Sequence, residues 1–119
     1  MVDHLNNRDI LSSPVLNEIH RVIQENPIVL FMKGTAEEPM CGFSATVARI
    51  LQILKIKFVA VNVLEDDELR ESIKQYTSWP TIPQLYVDQE FLGGCDVIKE
   101  LYDAGELEII LKKYLNTAV

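Results

Sequence analysis

The sequence predicts a small α/β domain, a mixed central sheet of about four strands with helices on both faces. Three observations predict it. Helical periodicities alternate with short apolar runs along the chain, as they do where helices connect the strands of one sheet. One such run, Ile28-Val29-Leu30-Phe31-Met32, is continuously apolar rather than alternating, as a strand covered on both faces requires. A hairpin signal between Gln84 and Leu92 then adds antiparallel strands to the sheet.

Each element has a local cause. Met1–Ser12 is polar and weakly periodic and reads as a poorly ordered arm, so the domain is placed at residues 13–119. Ser13 can cap a helix and Pro14 suits its first position. Val15, Leu16, Ile19, Val22 and Ile23 then recur on one face until Asn26-Pro27 stops it. After the central strand, Gly34–Met40 reads as a loop. Val47, Ile50, Leu51 and Leu54 restore helical spacing, which puts Cys41 at a helix N-terminus.

Phe58–Val63 is rich in Val and reads as a second buried strand. Asp66 or Asp67 can cap the helix that follows, with Leu69, Ile73 and Tyr76 on its inner face. Gln84–Val87 and Glu90–Leu92 flank Asp88-Gln89 as an antiparallel hairpin. Asp96 can cap a helix over Val97–Ala104, which Gly105 ends, and Leu107, Ile110, Leu111 and Tyr114 mark a last amphipathic helix. This order resembles a thioredoxin-type fold.

With 119 residues, 48% of them hydrophobic, the chain can build one core and has no room for a second domain. A net charge of −7 without a Lys/Arg cluster argues against nucleic acid or anionic lipid as partner, since such affinity comes from basic side chains that release counterions. No apolar stretch reaches the roughly 18 residues that cross a bilayer, and no basic segment leads into an apolar run near Met1. The expectation is a soluble, unsecreted protein. Cys41 and Cys95 are the only cysteines, too few for a disulfide framework, so a reducing compartment fits. His4 and His20 have no further ligand at metal spacing and read as surface residues, which argues against zinc.

The chemistry centres on Cys41-Gly42-Phe43-Ser44. Unpaired backbone N–H groups at a helix start favour a thiolate, the form that acts as nucleophile and metal ligand. Its neighbours Pro39, Gly42 and Ser44 would make a poor hydrophobic core, which argues against an inert buried thiol. A two-cysteine redox motif needs its resolving thiol three positions on, where this chain has Ser44. A hydroxyl cannot expel a mixed disulfide, so turnover needs an outside thiol or Cys95.

Lys33-Gly34, Pro39, Cys41-Gly42-Phe43-Ser44, Trp79-Pro80-Thr81-Ile82-Pro83 and Gly93-Gly94-Cys95-Asp96 together resemble the signature of the monothiol glutaredoxins, in order and spacing, over about Ser13–Leu115. The resemblance implies an extended groove for glutathione. It places Lys33 and Arg70 at glutathione carboxylates, the backbone of Ile82 before a cis Pro83 alongside the extended peptide, and Gly94 and Asp96 at the glutamyl end. Cys95 is implied as a backbone contact or as a partner for Cys41 under oxidation. Phe43 and Trp79 serve as groove walls.

The resemblance further implies a [2Fe-2S] cluster that bridges a homodimer, held by Cys41 and one glutathione thiol from each side, with transfer to apo iron-sulfur acceptors and a BolA-like protein as a further partner. The alternative is a glutathione-dependent oxidoreductase that removes glutathione from protein thiols, with turnover expected to be slow. The implied location is a bacterial cytoplasm, or else a mitochondrial or plastid matrix.

Overall fold

The computed structural model describes residues 13–115. The expected arm and His4 lie outside the described residues. Helix α1 runs Pro14–Glu25, and the Ser13 hydroxyl accepts a hydrogen bond from the Leu16 N–H at 3.2 Å. Leu16, Ile19 and Ile23 form its buried stripe. Asn26, extended ahead of Pro27, ends it.

Strand β1, Ile28–Met32, is buried at every residue because it has a neighbour on each side and a helical layer over each face. The sheet order is β2-β1-β3-β4, with β2 at Val59–Asn62, β3 at Gln84–Val87 and β4 at Glu90–Gly93. β1 pairs parallel with β2, setting Val29 opposite Val59, and antiparallel with β3, setting Val29 opposite Tyr86. β3 and β4 form the expected hairpin, whose turn residues Asp88 and Gln89 take φ of 51° and 74°.

Alternate residues of β1 divide the core. Ile28, Leu30 and Met32 pack with Val47 and Leu51 of α2 (Gly42–Ile53), with Ile98 of α4 (Cys95–Asp103) and with Leu107 of α5 (Glu106–Ile110). Val29 and Phe31 face the other layer, where Ile19 and Ile23 of α1 meet Ile73 and Tyr76 of α3 (Asp67–Thr77). Truncating Phe31, 1% exposed, to Ala would cost about 3–5 kcal/mol in a core packed this way. Asp66 caps α3, its carboxylate accepting the Glu68 N–H at 2.9 Å. The thioredoxin-like architecture expected from the sequence is therefore present.

Four expectations need correction. Phe58–Val63 is not a buried strand: β2 is an edge strand with Val59 and Ala60 exposed, and Val63 turns inward in a 3-10 turn, Val63–Glu65. Its Val content reflects one packed face, since β-branched residues suit a half-covered pleat as well as a buried one. Asp96 does not cap α4: Gly94 is the N-cap and Asp96 lies exposed in the first turn. The last helix is short, and a 3-10 turn at Lys112–Tyr114 follows it. That break buries Leu111 and leaves Ile110 exposed. His20 is half-buried rather than on the surface, its Nδ1 2.8 Å from the Tyr76 hydroxyl between α1 and α3.

Candidate active site

The approach to Cys41 is a closed loop. Gly34 adopts φ of +92°, and a Cβ there would come within 2.6 Å of the Glu38 carbonyl oxygen. Thr35 and Glu38 exchange two backbone hydrogen bonds of 3.2 Å, and the Met40 N–H donates to the Lys33 carbonyl at 2.9 Å. The Asn62 side-chain oxygen accepts from the N–H groups of both Gly34 and Leu64 at 2.9 Å, tying the loop to the end of β2. These bonds fix the direction in which the chain enters α2.

Cys41 is the N-cap of α2, with extended backbone, and no side chain caps the helix. Its thiol is held below the ordinary thiol pKa. The main cause is the Ser44 backbone N–H; the Phe43 N–H, the Lys33 ammonium and the Ser44 hydroxyl add to it, against the opposing effect of burial. Ser44 is fully buried, and its Oγ also accepts the Lys33 N–H at 3.0 Å. One hydroxyl thus links the end of β1 to the sulfur.

Cys95, the first residue of α4, behaves oppositely. Burial pushes its thiol up, and the negative charges of Asp96 and Cys41 add to that, with Lys99 opposing. Both thiols are free.

A groove of about 210 Å³ is lined by Phe43, Trp79, Ile82, Pro83, Gly94, Cys95 and Asp96. Two exposed aromatic groups belong to it, Phe43 at 63% and Trp79 at 40%, and the Trp79 ring packs on Phe91 at 5.5 Å between centroids. The Ile82–Pro83 bond is cis. Among the described residues the backbone N–H and C=O of Ile82 have no hydrogen-bond partner. A Cβ on Gly94 would lie 3.2 Å from the Pro83 carbonyl oxygen, so glycine permits this approach of two groove segments. Buried Gln84 shapes the loop from inside, its amide donating to the Trp79 and Thr81 carbonyls at 3.1 and 3.2 Å.

The structure thus brings Cys41, Ile82, Pro83, Gly94, Cys95 and Asp96 to one region, with Lys33 close enough to act on the Cys41 sulfur. Arg70 does not line the groove. It sits on α3, 3.3 Å from Asp67, with its Nε buried and without a hydrogen-bond partner. Sequence reasoning missed Asn62 and Gln84 and read Ser44 only as a missing thiol. Among the described residues no three or more His, Cys, Asp and Glu side chains converge as a metal site. A larger cavity, about 640 Å³, lies beside β2 and contains neither cysteine.

Residues 28–92 match the family model for glutaredoxin. The "Probable monothiol glutaredoxin 2" of Rickettsia typhi is 55% identical over 82% of this chain and 87% of its own length. "Monothiol glutaredoxin-5, mitochondrial" of Saccharomyces cerevisiae is 51% identical over 90% of this chain and 73% of its own. The solution structure of reduced apo GrxS14 from poplar superposes with a TM-score of 0.75 at 47% identity, covering 88% of this chain and 96% of that one.

Proposed function

The chain belongs to the glutaredoxin family, in its monothiol branch, and from that premise we propose that it binds glutathione and carries a [2Fe-2S] cluster between two copies of itself, for transfer to apo-proteins. The observation that carries the reading is Cys41, a thiol held toward its thiolate by aimed donors, with a buried hydroxyl at Ser44 in place of a resolving thiol. Such a site can hold a metal or a glutathionyl group but cannot close an internal disulfide with residue 44.

The donor set fits the cargo in one way. A cluster bound by thiolates takes four, and Cys41 supplies one. Cys95 is a poor second ligand, since burial and Asp96 favour its protonated form. The remaining ligands are then glutathione thiols and the Cys41 of a second copy. A cluster held partly by exchangeable small thiols leaves more readily than one caged by four cysteines, which suits delivery to an acceptor.

Glutathione lies along the groove with its cysteinyl backbone against the unpartnered N–H and C=O of Ile82. Its glutamyl end meets the start of α4, where Gly94 leaves the first backbone N–H groups without a side-chain cap and Asp96 offers a carboxylate to the amine. Lys33 and Arg70 take the carboxylates. Arg70 must exchange its exposed Asp67 pair for the ligand, a change of less than about 1 kcal/mol, and a carboxylate also satisfies its orphaned Nε. Cys95 contributes its backbone, and Pro83 a groove wall. A bacterial cytoplasm, with an organellar matrix as the alternative, and a BolA-like second partner complete the proposal.

The same thiolate supports a second reading, removal of glutathione from protein thiols. Cys41 would attack the glutathionyl sulfur, releasing the protein thiolate, and the thiolate of a second glutathione would attack the glutathione sulfur of that mixed disulfide, forming glutathione disulfide and expelling the Cys41 thiolate. Anaerobic reconstitution with iron, sulfide and glutathione separates the two. The expected result is a coloured, cluster-bridged dimer for wild type and a colourless protein without cluster for Cys41→Ser. A colourless wild type that turns over a glutathionylated peptide rapidly would replace the carrier with the oxidoreductase.

A further inference from the structure

Strand β2 is an open edge. It pairs with β1 on one side, and among the described residues nothing pairs with its other side. Val59 and Leu64 are exposed along it, at 36% and 42%. The larger cavity, about 640 Å³ with Lys57, Phe58, Ala60 and Glu65 in its wall, lies against this strand and leaves room for incoming side chains. An open edge of this kind is a template for another strand.

The charge along the edge selects the occupant. The segment entering β2 carries exposed Lys55 and Lys57, and the segment leaving it carries exposed Glu65, Asp66, Asp67 and Glu68. Of these acids, only Asp67 has an ion pair among the described residues, to Arg70. A strand laid antiparallel on β2 has its N-terminal end beside the acids and its C-terminal end beside the lysines. The complementary strand is therefore basic first and acidic last, which is the pattern of β2 itself.

We propose that two copies of this chain pair through their β2 edges, antiparallel about a two-fold axis, so that the Lys57 end of each meets the Glu65 end of the other and the two sheets become one. A two-fold contact needs a self-complementary surface, and a bipolar edge supplies one. Parallel pairing would stack like charges and leave the contact unclosed. The edge shares no residue with the groove, so this pairing is separate from any contact through Cys41 and needs neither iron nor glutathione.

The test uses the full chain carrying Cys41→Ser, free of iron and glutathione, in sedimentation equilibrium from micromolar to millimolar protein. A reversible monomer–dimer equilibrium is expected. Lys57→Glu and Glu65→Lys, both at exposed positions, each place like charges at both ends of the contact and weaken self-association about tenfold. An equimolar mixture of the two variants restores opposite charges at both ends and associates as strongly as the parent. The proposal is overturned by a parent that stays monomeric at every concentration, which would leave the edge to an extended segment of another protein. It is equally overturned by a mixture no tighter than either variant alone.

Discussion

Cys41 and Cys95 both stand at the start of a helix on the same side of the sheet, yet one thiol is pulled toward its thiolate and the other toward its protonated form. Cys41 occupies the cap position itself, where the N–H groups of Phe43 and Ser44 point at the sulfur and Lys33 lies near. Cys95 stands one position further into its helix, after Gly94, with Asp96 next to it and the sulfur more deeply desolvated. The difference teaches that a helix terminus is not sufficient for a reactive cysteine. Donors aimed at the sulfur lower its pKa; burial and a neighbouring carboxylate raise it.

Four substitutions break or sharpen that contrast. The largest effect belongs to Cys41→Ser, which removes all rapid alkylation by iodoacetamide at mildly acidic pH and leaves only the slow, alkaline labelling of Cys95, as read by mass spectrometry. Ser44→Ala comes next. It strips the part-buried Lys33 N–H of its acceptor, costing about 1 kcal/mol in urea unfolding, and moves Cys41 labelling to higher pH because a donor to the sulfur is lost. Gly94→Ala inserts a methyl group 3.2 Å from the Pro83 carbonyl and 3.4 Å from the Trp79 indole nitrogen. Glutathione affinity should fall several-fold, followed by the fluorescence of Trp79, the sole tryptophan, while Cys41 labelling stays as in wild type. Asp96→Asn has the smallest effect. Without the adjacent charge the Cys95 thiol ionises at slightly lower pH, and the contrast with Cys41 narrows but does not close, because burial is the larger cause of the Cys95 shift.

Much of this was legible in the chain. The unbroken run Ile28–Met32 announced a doubly covered strand, and Ser13-Pro14 and the pair Asp66-Asp67 announced their helices, because these signals depend on neighbours in sequence. Cys41 at a helix start was legible for the same reason, while the segment Trp79–Pro83 was assigned to a groove only through the family resemblance. What escaped depended on contacts distant in sequence. Val59 and Val61 cannot reveal whether a second strand lies beyond them, so β2 read as buried when it is an exposed edge. Asn62 holds a loop 28 residues away, and Gln84 reads as one more strand residue until its amide is seen holding the Trp79 and Thr81 carbonyls. Arg70 has a role at the groove only through the resemblance, and here its guanidinium lies 3.3 Å from Asp67 on its own helix.

The central claim is that the chemistry of this chain is concentrated at one of its two thiols. Site-resolved alkylation across pH, with each cysteine quantified by mass spectrometry in the same wild-type sample, tests it most directly. Cys41 should reach half its maximal rate at a pH below the ordinary thiol value and Cys95 at a pH above it. Coincident profiles, or Cys95 ionising first, would contradict the account.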